Sequence, residues 1–84
     1  MKTALSIAGF DPTSGAGITA DIKVFRSLNV YGLGVVSSIT AQNTLGVRHI
    51  ESLSRSLVKK QLDTLLEDIR PHASKIGMIY EKGL

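Results

Sequence analysis

Residues 3–21, TALSIAGFDPTSGAGITAD, decide the fold prediction, because they pass from a strand through a glycine-rich loop into a helix. Thr3–Ala8 is a short, uncharged, mostly apolar run, which is typical of an interior strand. Residues 9–17 consist largely of turn-forming residues and predict a loop. From Ile18 to Asn29, apolar side chains recur every three or four residues, which predicts a helix with one buried stripe. Asn29 tolerates the left-handed conformation and can end that helix.

The rest of the chain repeats this alternation. An amphipathic pattern predicts a second helix over 56–69, with Ser54 or Ser56 as its N-cap and Pro71 after it. Strands joined through helices form right-handed crossovers and a mostly parallel sheet with helices on its faces. We therefore predict an α/β fold. Three further strands are expected. Val30–Thr40 is predicted as a second interior strand, and a loop over 41–47 follows it. Arg48–Leu53 is predicted as a short edge strand and Ser74–Ile79 as a third main strand.

Composition limits the class of protein. The chain has 84 residues, 43% of them hydrophobic and 20% charged, which indicates one small globular domain or a piece of one. It has no cysteine, which excludes disulfides and thiolate metal sites. No apolar run is long enough to span a membrane, and no signal peptide is recognisable, so we expect a cytoplasmic protein without membrane partners.

The net charge of +3 does not indicate a nucleic-acid partner. Twelve of the seventeen charged residues lie in 48–84, where basic and acidic side chains alternate as on a solvated helix surface. His49 and His72 follow no metal-ligand spacing, so no metal site is expected. The charge-poor, glycine-rich first half of the chain is where we expect function.

The sequence GAGITA, residues 15–20, matches a dinucleotide-binding pattern after a strand and at the start of a helix. The loop before it is too long for that tight turn, and the second strand ends in Thr40-Ala41-Gln42 rather than in an acidic residue. A long βα turn without function would be the simplest alternative. Long ordered loops tend to carry function, however, and glycines let a planar ligand approach the backbone, so we expect a binding loop. Thr13 or Ser14 can cap the helix that follows.

Two polar side chains near this loop are candidate ligands. Asp21 lies one turn into the helix, where a surface carboxylate favoured by the helix dipole is the alternative. Gln42 follows the second strand, at the sheet edge where open α/β sheets bind ligands. Its amide offers a donor beside an acceptor and can pair with a heterocycle that carries an amino group beside a ring nitrogen.

Four blocks of the sequence resemble hydroxymethylpyrimidine/phosphomethylpyrimidine kinases of thiamine biosynthesis, which belong to the ribokinase-like superfamily. The resemblance departs from the family at Phe10, at Thr13-Ser14 and over 80–82. The blocks, in the family's order, are AGFDPTSGAGITAD at 8–21, VYG at 30–32, TAQNTLGV at 40–47 and KIGM at 75–78.

This resemblance implies the N-terminal part of a three-layer α/β/α fold, incomplete in this chain, that forms the substrate-binding portion of one domain over residues 1–84. It implies ATP-dependent phosphorylation of 4-amino-5-hydroxymethyl-2-methylpyrimidine and then of its monophosphate, with Mg²⁺, and a family tendency to form homodimers. The residues expected to line the aminopyrimidine pocket are Gly9, Asp11, Ala16, Gly17, Asp21, Gln42 and Met78.

In the same family the catalytic residues and the nucleotide site lie further along the chain. We therefore expect no catalytic residue here, ATP and Mg²⁺ bound only by a full-length enzyme, and little activity from 84 residues alone. Two other readings stay open: a catalytically inactive pyrimidine-binding module, and a fragment of a pyridoxine-type vitamin kinase.

Overall fold

The computed structural model describes residues 2–77, which form a four-stranded sheet with one helix on each face. The strand order is β3-β2-β1-β4; β1 pairs in parallel with β2 and with β4, and β3 pairs antiparallel with β2. The predicted α/β class and mostly parallel sheet are confirmed. The elements in chain order are β1 (Thr3–Phe10), α1 (Gly17–Ser27), β2 (Tyr31–Asn43), β3 (Gly46–Ser52), α2 (Arg55–Leu66) and β4 (Ala73–Ile76).

Helix α1 packs on a face of the sheet that carries small residues. Gly32 and Gly34 of β2 leave room for Ile18 and Ile22, whose side-chain carbons would lie 3.0–3.3 Å from a Cβ at either glycine. Asn29 has φ of 59° just beyond the helix, so the predicted left-handed end is confirmed.

Helix α2 covers the opposite face, where the larger apolar side chains point. Leu5, Leu33, Val35 and Val58 are buried together, and partly buried side chains of α2 and its flanks pack around them. The Ser54 hydroxyl accepts a hydrogen bond from the Leu57 N–H, which makes Ser54 the N-cap and answers the choice between Ser54 and Ser56. Helices on both faces give this part of the chain three layers.

A bulge in β2 is closed by a side chain of α2. Between the pairs Ala8–Val36 and Gly9–Ser38, β2 has one extra residue, Ser37. The carboxamide of Gln61 accepts from the Val36 N–H at 3.0 Å and donates to the Val36 carbonyl oxygen at 2.9 Å. Pairing of β2 with β3 begins only at Ser38–Ser52. At Val36, the Gln61 side chain therefore makes the two backbone hydrogen bonds that a neighbouring strand would otherwise make.

The loop predicted over 41–47 is wrong. Strand β2 continues to Asn43 and β3 begins at Gly46, so a two-residue turn at Thr44 and Leu45 closes an antiparallel hairpin. The Asn43 side-chain oxygen accepts from the Leu45 N–H at 2.9 Å, which stabilises that turn locally. Strand β3 is an edge strand, as predicted, although it starts earlier.

Other boundaries shift by a few residues. Strand β1 extends to Phe10 rather than ending at Ala8, and α2 ends at Leu66 rather than at 69. The strand predicted over 74–79 runs over Ala73–Ile76, and its last two predicted residues lie outside the described part of the chain. No helix between residues 2 and 77 is long and apolar enough to cross a membrane.

Candidate substrate pocket

A cavity of about 360 Å³ opens at the carboxyl ends of the parallel strands, beside the start of α1. This is the edge of an open α/β sheet at which ligands bind. Apolar and charged side chains both contribute to its wall. The lining residues are Ala8, Gly9, Phe10, Asp11, Ala16, Gly17, Asp21, Ser38, Thr40, Gln42, Val47, Ile50, Lys75 and Gly77.

Six of the seven residues predicted to bind substrate lie together around this cavity. They come from the end of β1, the glycine-rich loop, the first turns of α1 and the last residues of β2. The seventh, Met78, lies outside the described residues. The six are Gly9, Asp11, Ala16, Gly17, Asp21 and Gln42.

Asp11 holds the glycine-rich loop in shape. One carboxylate oxygen accepts from the N–H and the hydroxyl of Thr13, both at 2.8 Å, and the other accepts from the Ala16 N–H at 3.1 Å. These hydrogen bonds, led by those from Thr13, hold the pKa of Asp11 below its ordinary value. Because its oxygens already have donors from the loop, Asp11 shapes the pocket wall.

This arrangement corrects the predicted cap. Helix α1 begins at Gly17 with Ala16 as its N-cap, and no side chain caps it. The Thr13 hydroxyl donates to Asp11 instead, and Ser14, whose N–H donates to the Asp11 carbonyl oxygen at 3.0 Å, takes a left-handed conformation with φ of 61°.

Gly17 allows the loop to pass very close to β1. Its φ is 71°, and a Cβ at this position would lie 2.2 Å from the Gly9 carbonyl oxygen. The backbone at Phe10 and Gly17 forms an isolated antiparallel bridge at the same place. The sequence predicted that Gly15 and Gly17 let a planar ligand approach the backbone; at Gly17 the close approach is instead that of the loop to β1, at the wall of the cavity.

Asp21 is buried on the cavity wall, contrary to the alternative of a surface residue on the helix dipole. Ser6 of β1 donates to one of its oxygens at 2.8 Å, and Lys75 Nζ of β4 donates to the other at 2.7 Å. Burial acts to raise the pKa of Asp21, but the bonds from Lys75 and Ser6 and the charge of Lys75 together outweigh it and lower the pKa. Asp21 is thus an ionised carboxylate held from two strands.

The oxygen of the Gln42 side-chain amide lies within hydrogen-bond distance of a hydroxyl group. The Thr40 hydroxyl lies 3.0 Å from Gln42 Oε1 and 3.2 Å from the Phe10 carbonyl oxygen, and its single hydrogen is shared between these two acceptors at the end of β1. Among residues 2–77, Gln42 Nε2 has no hydrogen-bond partner, and the residue lines the cavity. The amide can therefore present its donor, and the second lone pair of its acceptor, to a ligand.

Sequence reasoning missed the part of the wall that the hairpin supplies. Val47 and Ile50 of β3 lie on this wall because β2 and β3 pair antiparallel, which the predicted loop over 41–47 had hidden. Lys75 lies within the KIGM block at 75–78, but its residue type and position predicted no role for it. The strand predicted over 74–79 has Lys75 near its amino end, whereas β4 ends at Ile76 and so places Lys75 next to its carboxyl end, at the cavity.

No metal centre is visible in the described region. Residues 2–77 contain no group of three or more His, Asp or Glu side chains that could hold an ion. His49 lies on β3, and its Nε2 is 3.2 Å from Glu51 Oε1 on the same strand. His72 is exposed, as expected, but it is hydrogen-bonded to β1. Its ring Nδ1 accepts from the Thr3 N–H at 3.1 Å, and its backbone N–H donates to the Thr3 carbonyl oxygen at 2.9 Å.

The sequence matches the family model described as phosphomethylpyrimidine kinase over residues 11–84. The chain belongs to the phosphomethylpyrimidine kinase family. The match includes the glycine-rich loop, the Gln42 segment and Lys75, which are the parts that surround the cavity.

Named relatives of this family agree with the match. A hydroxymethylpyrimidine/phosphomethylpyrimidine kinase of Staphylococcus aureus strain Mu50 is 60% identical over 78 residues, which are 93% of this chain and 28% of that protein. The crystal structure of a phosphomethylpyrimidine kinase from Clostridium difficile 630 superposes with a TM-score of 0.91 at 47% identity, over 96% of this chain and 35% of that one. This member of the family therefore spans under a third of the length of the curated relative it matches.

A solved pyridoxal kinase is also similar to this family member. The Staphylococcus aureus pyridoxal kinase in complex with AMP-PCP and pyridoxal superposes with a TM-score of 0.82 at 38% identity, over 93% of this chain and 29% of that one. The ribokinase-like fold predicted from the sequence is confirmed by these neighbours. Both kinds of kinase therefore share the backbone fold of this segment.

Proposed function

We propose that this chain supplies the substrate pocket of an ATP-dependent kinase that phosphorylates 4-amino-5-hydroxymethyl-2-methylpyrimidine and then its monophosphate, for thiamine diphosphate biosynthesis. The observation that carries the proposal is the cavity in which Gln42, Asp21 and the glycine-rich loop meet. The identity of 60% to a kinase of that name supports it. A cytoplasmic location and a homodimer remain predictions.

Gln42 suits an aminopyrimidine. An amide and an aminopyrimidine edge are complementary, since Nε2 donates to the ring nitrogen while Oε1 accepts from the amino group. The Thr40 hydroxyl lies within hydrogen-bond distance of Oε1, and Nε2 has no hydrogen-bond partner among residues 2–77. The amide therefore needs little reordering to bind such an edge, and the ligand gains affinity from that preorganisation.

The rest of the wall suits a small ring with polar substituents. Val47 and Ile50 of β3 offer apolar contact to a ring face, while Asp21 of α1 is a buried, ionised acceptor. A cavity of about 360 Å³ is at the small end of the range for ligand sites, which favours a single-ring substrate over a nucleotide.

The residues described here do not fit ATP or Mg²⁺. They provide no cluster of metal ligands, and the Ala16 N–H at the start of α1, where a phosphate could bind, already donates to Asp11. We propose that the nucleotide and its Mg²⁺ are held by residues beyond these, and that this chain alone has no phosphoryl-transfer activity.

Calorimetry on the 84-residue chain tests the proposal. The aminopyrimidine alcohol should bind to the wild-type chain, and Gln42→Glu should weaken binding about tenfold or more, because a carboxylate cannot donate to the ring nitrogen. The control Asn43→Asp introduces the same change next to Gln42, at a residue outside the cavity wall, and should leave the affinity within about twofold. No binding to a folded wild-type chain would overturn the proposal.

A chimera tests the activity of the pocket in a whole kinase. The aligned 78-residue segment of the Staphylococcus aureus phosphomethylpyrimidine kinase would be replaced by that of this chain. Transfer of phosphate from ATP to the pyrimidine, and its loss in the Gln42→Glu chimera, would support the proposal. A folded chimera that phosphorylates pyridoxal in preference would favour the vitamin-kinase alternative, which the likeness to a pyridoxal kinase keeps open. Turnover by the 84-residue chain alone would overturn its proposed inactivity.

A further inference from the structure

Lys75 is the one cation on the cavity wall among the described residues. Its neighbours there include two carboxylates, Asp11 and Asp21, and otherwise uncharged side chains. Lys75 reaches the wall from β4, whose parallel pairing with β1 places Lys75 opposite Ser6. Position, charge and strand register thus bring a single ammonium group to the side of the pocket where Asp21 lies.

Most of the donor capacity of Lys75 is unused. An ammonium group has three N–H donors, and the recorded hydrogen bond of Lys75 within residues 2–77 uses one of them, on Asp21 Oδ1 at 2.7 Å. The Lys75 side chain is 61% exposed, whereas that of Asp21 is 12% exposed. The pair is therefore buried at its carboxylate end and open to the cavity at its ammonium end.

We propose that Lys75 is a substrate-binding residue that donates to the phosphate group of the phosphorylated pyrimidine while it stays paired with Asp21. This inference rests on the proposed function, because it concerns the second of the two substrates. Lys75 would let one pocket accept both a neutral alcohol and an anionic monophosphate.

Charge is the physical reason. A phosphate monoester brings up to two negative charges to a wall that already carries Asp11 and Asp21, and like charges brought together at a binding site lower affinity. The carboxylate of Asp11 is satisfied by donors of its own loop, and that of Asp21 by Ser6 and Lys75. Lys75 is then the group that can offset the added charge, through a charge-assisted hydrogen bond.

Comparison of the two ligands on the 84-residue chain isolates this role. Affinities for the pyrimidine alcohol and for its monophosphate would be measured calorimetrically in wild type, Lys75→Met and Lys75→Arg. We expect Lys75→Met to lose about ten- to hundredfold affinity for the monophosphate and less than about threefold for the alcohol. Lys75→Arg should keep most of the monophosphate affinity. The control Lys59→Met removes another exposed, carboxylate-paired lysine, which lies on α2 outside the cavity, and should change neither affinity.

Folding is checked separately, because Lys75→Met leaves Asp21 without its cation. The double variant D21N/K75M removes both charges, and circular dichroism should show it folded. It should still lose affinity for the monophosphate relative to D21N alone.

Each outcome separates the two proposals. Equal loss for both ligands, no loss for either, or a wild-type chain that binds the alcohol but not the monophosphate would overturn the role of Lys75 and leave the pyrimidine pocket standing. A folded wild-type chain that binds neither ligand would overturn the proposed function, and this inference with it.

Discussion

Lys75 and Asp21 are 54 positions apart in the chain, yet Lys75 Nζ lies 2.7 Å from Asp21 Oδ1. The contact joins β4 to α1 across β1, which lies between β2 and β4 in the sheet. It depends on the parallel β1–β4 register, in which Ser6 pairs with Lys75, and Ser6 itself donates to the other oxygen of Asp21. Strand register therefore determines the charge pattern of the pocket.

The Asp21–Lys75 pair should make the free energy of unfolding decrease at acidic pH. The pKa of Asp21 is lower in the folded chain than its ordinary value, so its stabilising effect is present above the unfolded pKa and is lost as pH falls through the folded pKa. We expect the free energy of unfolding, measured with urea, to fall below about pH 4. Asp21→Asn should lessen this decline, and Asp11, whose pKa is also lowered, should account for part of what remains.

Asp63→Asn is the control for that measurement, because Asp63 pairs with Lys59 on the exposed surface of α2. It should leave the acid dependence nearly unchanged, since exposed pairs contribute little. An Asp21→Asn chain with the same acid dependence as wild type would contradict the assignment.

Gly17→Ala should strongly destabilise the chain. A methyl group there would meet the Gly9 carbonyl oxygen at 2.2 Å, in a residue whose φ is 71°. We expect a loss of about 2 kcal/mol or more in the free energy of unfolding. Gly15→Ala, in the same loop, would meet only Asp11 and Thr13 oxygens at 3.5–3.6 Å and should change stability by less than about 0.5 kcal/mol. Equal effects of the two changes would show that the loop rearranges freely.

Ser38 should rescue a substitution at Gly9. A Cβ at Gly9 would lie 2.6 Å from Ser38 Oγ, so Gly9→Ala should lower the free energy of unfolding by about 1–3 kcal/mol. Ser38 Oγ is buried and has no hydrogen-bond partner among the described residues, so Ser38→Ala alone should be neutral or stabilising. The double variant should recover most of the loss, because the next atoms of Ser38 are 3.7 Å or more away. A double variant as unstable as Gly9→Ala would contradict this contact.

Gln61→Leu should lower the free energy of unfolding, because it removes the two hydrogen bonds between the Gln61 side chain of α2 and the sheet. It would leave the N–H and the carbonyl oxygen of Val36 without their partners, at a cost of about 2 kcal/mol or more. Gln61→Glu should be intermediate, because a carboxylate can accept from the N–H but cannot donate to the carbonyl. Lys60→Leu, the same replacement at the exposed neighbouring residue, should stay within about 0.5 kcal/mol. Equal urea midpoints for Gln61→Leu and Lys60→Leu would rule out this role.

Local patterns were enough to predict much of the fold. Apolar spacing placed both helices within a few residues, and Asn29 and Ser54 ended and began them as their side chains favour. The uncharged runs gave the two interior strands. The hairpin could not be predicted from Asn43 and Gly46, which are residue types typical of loops; pairing of Ala41 with His49 and of Gln42 with Val47 extends the two strands to the turn.

The pocket was predicted less completely than the fold. Glycines, Asp21 and Gln42 could be placed at one sheet edge from their order along the chain, and the structure brings them together. The partners of Asp21 could not, because Ser6 and Lys75 meet it only through the β1–β4 register. The role of Asp11 within its own loop also depends on a turn conformation at Ser14 that residue types alone did not fix.

The strand order also bears on synthesis of the chain on the ribosome. Strand β1 can pair with β2 early, but its other edge pairs with β4, and Ala4 and Ala73 are 69 positions apart. At about 5–20 residues per second, the ribosome needs several seconds to make that distance. During this interval one edge of β1 is unpaired and can pair with any extended segment nearby.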